Sequence, residues 1–249
     1  MCTVIILRRP GHDWPLVIGA NRDEMLNRPA LAPARHWSDR DHVVAGQDEL
    51  AGGTWLAMND DRIIAAVLNR QGSLGPDAAK RSRGELPLEA VDHAEAGEAA
   101  KALSMLEPSS YRTFNMVIAD GVQAFWVKSD GVHVTAATIP EGLSMITASD
   151  LNDTTGSARM RHHLDRFRRA PFPDPGLGDW DTWKALLASK DAEPGADHGG
   201  AMNITTDFGF GTVSSSLIAL PNLDRSNLKP QWLYCAGPPD AGAYEPVAP

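Results

Sequence analysis

The pair Met1-Cys2 sets up one reaction more compactly than anything else in the chain. Removing Met1 leaves Cys2 as a first residue that carries both a thiol and a free α-amine. The amine ordinarily titrates at about 7.7–8.0 and the thiol at about 8.5. Near neutral pH the amine can therefore serve as the base that activates the thiol of its own residue. The same start also fits a plainer role, a small buried hydrophobe opening an apolar strand. Polar partners for the chemical role stand at the end of the next apolar run, in Asn21-Arg22-Asp23-Glu24.

The elements that would position these groups can be read outward from them. Residues 2–8 and 15–20 are β-rich apolar runs around the turn Pro10-Gly11-His12-Asp13, which predicts a hairpin. Antiparallel pairing then brings residue 2 beside 21–24 with no long loop. Residues 28–42, rich in Pro, Arg and Asp, read as a surface loop. A second hairpin follows Gly52-Gly53, from Thr54–Asn59 to Arg62–Asn69, and its near-continuous apolar return strand suits a sheet buried on both faces. Ser82-Arg83-Gly84-Glu85 fits a capping box. Pro87 also suits the first turn of a helix that then runs to about Leu106.

Strands are expected at 113–119, 122–128, 131–137 and 143–147, with Asp120-Gly121 and Asp130-Gly131 as hairpin turns. A helix over 156–169 places Met160, Leu164 and Phe167 on one face, and the basic face around Arg159, Arg161 and Arg166 reads as solvated. A short helix at 180–189 and strands at about 211–220 and 231–236 complete the pattern. The Pro-rich tail, about 238–249, is expected to be disordered. Meandering strands with segregated helices imply an α+β fold, and nothing resembling a linker or repeat divides it. One domain over 1–249 is the simplest solution.

Composition limits the function classes. The 249 residues are 43% hydrophobic and 22% charged, as in an ordinary globular chain. A net charge of −9 with no basic tail argues against nucleic acid as a partner. No apolar run is long enough to span a bilayer, and the N-terminus lacks a secretory pattern, so a cytoplasmic location is expected. Two cysteines, Cys2 and Cys235, suit a reducing compartment, with Cys235 read as buried core. No CxxC, CxxCH or HExxH spacing calls for a metal or covalent haem. His162 and His163 are adjacent on a helix and point about 100° apart, so they cannot share one iron.

Five blocks, in order, resemble one family: Met1-Cys2, Asn21-Arg22-Asp23-Glu24, Gly52-Gly53-Thr54-Trp55-Leu56, Ser82-Arg83-Gly84-Glu85-Leu86 and Gly211-Thr212-Val213-Ser214-Ser215-Ser216. They are those of the NRDE family, also called the transport and Golgi organisation protein 2 family. That family is similar to the N-terminal nucleophile hydrolases of the choloylglycine hydrolase and penicillin V acylase branch. The resemblance implies a four-layer αββα sandwich and an N-terminal cysteine that cleaves a non-peptide amide.

On that resemblance Cys2 is the nucleophile and Asp23 orients its α-ammonium. Arg22 would lower the thiol pKa. Adjacent strand side chains face opposite ways, so Arg22 and Asp23 cannot both face Cys2 without a bulge or turn, and Asp23 is the expected inward residue. Asn69 matches the branch's oxyanion donor. Asn21, Ser149 and Asn152 are the candidate substrate-binding residues. The arginine that the hydrolases carry just before the late strand has no counterpart in Phe208-Gly209-Phe210-Gly211-Thr212. Glu24, Arg83, Glu85 and Trp55 read as structural. The expected function is an amidohydrolase of a small molecule with no cofactor. The alternative is a non-catalytic protein on the same fold that binds haem or a lipid-like ligand.

Overall fold

The computed structural model describes residues 2–248. In chain order the strands open with β1 (Thr3–Arg8), β2 (Leu16–Met25), β3 (Ala30–Ala34), β4 (Val43–Asp48), β5 (Leu56–Asn59) and β6 (Ile64–Asn69). Helices α1 (Leu86–Val91) and α2 (Ala96–Ser104) follow, then β7 (Phe114–Ala119), β8 (Ala124–Ser129), β9 (Val134–Thr138) and β10 (Gly142–Ile146). The chain closes with α3 (Ala158–Arg169), α4 (Asp181–Leu187), β11 (Phe210–Leu220), β12 (Gln231–Ala236) and β13 (Tyr244–Pro246). Two compact units result. One holds the residues up to Asn27 together with Pro140–Val247, the other Arg28–Ile139.

The first unit is a six-stranded antiparallel sheet in the order β10-β1-β2-β11-β12-β13. Strand side chains alternate between faces. Ile5, Leu7, Val17, Leu143, Met145, Leu217 and Ala219 accordingly pack on Met160, Leu164 and Phe167 of α3 and on Trp183 and Leu187 of α4. Gly19 is small for a reason: a Cβ there would meet the Trp183 ring at 3.0 Å. Ser157 caps α3 by accepting a hydrogen bond from Met160 N at 3.2 Å.

The second unit is a seven-stranded meander from β3 to β9 in sequence order. Its alternate residues Ala65, Phe114, Met116, Ile118 and Val127 pack on Leu88, Val91, Ala99 and Leu103. In β6, Ile64, Ala65, Ala66 and Leu68 are all buried, as the apolar return strand implied. The glycine-rich blocks meet here. Thr54 N donates to Gly84 O at 2.7 Å, and a Cβ on Gly53 would strike the backbone of Gly84.

Several expectations need correction. The stretch 28–42 is not a loop throughout, because β3 pairs with β4 and its register shifts between Leu31 and Ala34. The helix expected from Pro87 to about Leu106 is two helices. Asn59 Nδ2 donates to Val91 O at 2.8 Å and His93 O at 2.9 Å, taking the carbonyls through which the helix would continue. Asp120 Oδ2 then accepts from Ala96 N at 3.0 Å and starts α2. The tail is ordered in part: β13 pairs with β12, and Tyr244 OH donates to Ser215 Oγ at 2.7 Å. Most consequential, β2 runs on through Asn21–Met25, so the polar block lies within a strand.

Candidate active site

Thr3 on β1 pairs with Asn21 on β2, so the expected hairpin places Cys2, one residue before β1, at the polar end of β2. Alternation sorts the block into two faces. Asn21 and Asp23 share one, with Thr3 opposite Asn21; Arg22 lies on the other. Beside them β11 carries a bulge: Thr212 pairs with Asp23 and Ser214 with Arg22, with the register shifting between the two. The bulge belongs to β11, so it does not bring the side chains of Arg22 and Asp23 to the same face of β2.

Cys2 is half-buried, and its Sγ donates to the backbone oxygen of Asp23 at 3.7 Å. Burial pushes the thiol pKa up and the Asp23 charge pushes the same way, while Arg22 pulls it down. Burial dominates, so the thiol is neutral at pH 7 and requires a base to become a nucleophile. Met1, whose removal would expose the α-amine, lies outside the described residues.

Asp23 is held on both oxygens. Oδ1 accepts from Thr212 Oγ1 at 2.7 Å and Oδ2 from Arg159 Nη1 at 2.9 Å. The Asp23 and Arg159 side chains are 0% and 2% exposed, which makes this a fully buried ion pair. Arg159 also donates from Nη1 to Thr3 Oγ1 and from Nε to Gly199 O at 3.0 Å. It thus joins α3 to the residue after Cys2, to Asp23 and to the turn His198–Gly200. The solvated reading of Arg159 is overturned by these bonds. A sequence signal existed: 159 lies one turn before His163, on the stripe that also buries Met160, Leu164 and Phe167.

The other expected site residues have separate places. Asn21 is buried and gives both amide hydrogens to backbone, at 2.9 Å to Leu187 O and 2.9 Å to Met202 O, bracing β2 against the chain after α4. Arg22 is buried on the opposite face, where its charge also bears on the Tyr234 phenol. That phenol is pushed up by burial and lowered by its bond to Ser214 and by Arg22. Ser149 Oγ donates to Gly156 O at 3.3 Å. Asn152 adopts φ +57° and closes the turn after β10, its Oδ1 accepting from Met145 N at 2.9 Å. Asn69 belongs to the second unit, where it ends β6 opposite Phe114. His163 is buried with both ring nitrogens engaged, by Asp191 O at 3.0 Å and Arg166 Nη1 at 3.3 Å. Among the described residues no group of three His, Cys, Asp or Glu side chains could hold a metal, and no helix is long and apolar enough to cross a membrane.

Residues 1–170 match the family model for Transport and Golgi organisation 2. The chain belongs to that family. Among curated relatives, a Transport and Golgi organization 2 homolog of Mus musculus is 36% identical over 116 residues, 43% of this chain and 39% of the relative. The Bos taurus homolog is 34% identical over 116 residues with the same shares, 43% and 39%. The match with this Transport and Golgi organisation 2 chain thus spans about two fifths of the curated relatives' length. Among solved structures, the Caenorhabditis elegans N-acylethanolamine-hydrolyzing acid amidase ortholog superposes with TM-score 0.60 at 12% identity, covering 91% of this chain and 96% of its own. The C2A mutant of conjugated bile acid hydrolase from Clostridium perfringens gives TM-score 0.52 at 11% identity, with 100% and 97% coverage. These likenesses show the fold: the α+β chain has the N-terminal nucleophile hydrolase architecture.

Proposed function

We propose that this family member is a cysteine amidohydrolase of the N-terminal nucleophile type, acting on a small non-peptide amide. The observation that carries the reading is Cys2 immediately before β1, its thiol against the backbone of Asp23, whose carboxylate is fixed by Arg159 and Thr212. Support comes also from the structural neighbours, whose names are those of hydrolases of N-acylethanolamines and of conjugated bile acids.

The thiol is neutral, so catalysis begins with a proton transfer. The α-amine of a Cys2 freed from Met1 takes the thiol proton, and the sulfur attacks the amide carbonyl carbon. The C–N bond breaks, the α-ammonium returns the proton to the departing amine, and the acyl group stays on sulfur as a thioester. Water then attacks the thioester carbonyl, giving its proton to the α-amine, and the carboxylic acid leaves as the thiol re-forms. Asp23 favours the ammonium form of the amine by its charge.

The test is turnover of a panel of N-acyl amides by wild type and by Cys2→Ala. Complete loss of hydrolysis in a folded variant is expected. Undiminished turnover would remove Cys2 from the chemistry, and no turnover of any amide by wild type would favour a ligand-binding role.

A further inference from the structure

The geometry points to Arg159 as the positioning residue of the Cys2 site, acting through Asp23 and Thr3 to fix the backbone that carries the thiol and to offset the charge beside it. This rests on the reading of Cys2 as the nucleophile. Arg159 is the cation of a fully buried pair and reaches both neighbours of the thiol. Asp23 Oδ2 takes one bond and Thr3, the residue next to Cys2, takes another from the same nitrogen. The third bond, from Nε to Gly199 O, anchors the guanidinium to the His198–Gly200 turn. Replacing both members of a buried ion pair by apolar side chains of similar size is often neutral for stability, so stability alone does not call for a pair here. What the guanidinium adds is a rigid plane whose Nη1 holds Asp23 and Thr3 while its Nε holds Gly199 O, each in a fixed direction.

Thr212 completes the cradle from the other side. Its hydroxyl donates to Asp23 Oδ1, while it accepts from Ile204 N at 2.8 Å. Asn21, two residues before Asp23 on the same face, holds Met202 O. The chain from Gly199 to Ile204 is therefore tied to Asp23 at both ends, by Arg159 and by Thr212. The carboxylate cannot turn away from β11 without breaking one of them.

Without Arg159, the buried cation paired with Asp23 is gone and Arg22 is the side-chain cation left to offset the Asp23 charge at the thiol. The experiment is the rate of alkylation of Cys2 by iodoacetamide against pH, read by peptide mass, in wild type, Arg159→Met, Arg159→Lys and Asp23→Asn, each shown to be folded by circular dichroism. Arg159→Met is expected to raise the midpoint by about one pH unit. Arg159→Lys, which keeps a charge but not the fork, should raise it by less. Both shifts should vanish in an Asp23→Asn background, which a merely structural role for Arg159 would not produce. If Arg159→Met does not fold, Arg159→Lys with and without Asp23→Asn carries the same comparison. A midpoint equal to wild type, or a shift that persists without Asp23, would overturn the positioning role. The thiol titrates whether or not Met1 is present, so a retained Met1 would end the nucleophile reading without touching this result.

Discussion

Arg159 Nη1 stands 2.9 Å from Asp23 Oδ2, across 136 residues of sequence, with both side chains withdrawn from water. Removing either partner leaves a charge in a low-dielectric interior. Asp23→Ala should therefore lower stability by about 3–5 kcal/mol, measured by urea unfolding at neutral pH. A loss under about 1 kcal/mol would mean that water reaches the pair.

The buried imidazole of His163 makes stability depend on acid. Burial, with the neighbouring His162 next, lowers its pKa to about 4 from 6.5, so the folded state keeps it neutral. The unfolded chain takes the proton as pH falls through 6.5, and the folded chain only near 4. The stability associated with the neutral ring is complete above about 6.5 and is lost progressively towards pH 4, by up to about 3 kcal/mol. Urea unfolding of wild type and His163→Gln between pH 7 and 4 checks this, with a shallower slope expected for the variant.

Gly53→Ala should destabilise the second unit. The added Cβ meets the backbone of Gly84, which cannot yield as a flexible side chain would, and the Thr54–Gly84 hydrogen bond lies beside it. Forcing an extra carbon into such a contact costs about 1–3 kcal/mol. A thermal melt of the variant should show it, and an unchanged midpoint would mean that the two glycine blocks separate at little cost.

Asn59→Ala tests the helix break. The variant loses the donor to Val91 O and His93 O and the Oδ1 acceptor of Ile63 N at 2.8 Å. Leaving these backbone groups without their partner should cost about 1–3 kcal/mol in urea unfolding. An unaffected protein would show that the break between α1 and α2 is set by their own sequence.

The parts of this fold that could be read from sequence are those set locally. The first hairpin follows from two apolar runs and a turn, and its antiparallel sense alone places Cys2 near Asn21–Glu24. The opposite facing of Arg22 and Asp23 follows from strand alternation in the same way. What escaped depends on partners far along the chain. Arg159 on a helix rich in arginines looked like one more solvated cation, because the carboxylate that buries it arrives from β2. The break after Val91 escaped because Asn59, on a strand, imposes it. Strands β3 and β13 were hidden by Pro33 and Pro246, which edge strands tolerate because one side of their backbone is left without a ladder.

The measurement that bears most directly on the central claim is the intact mass of the untagged protein made in cells. The account predicts a chain beginning at Cys2, with a free α-amine beside the thiol, and an acyl adduct on that residue when a slow amide substrate is supplied. A mass that retains Met1 in the whole population would contradict it, because the thiol would then have no α-amine of its own to take its proton.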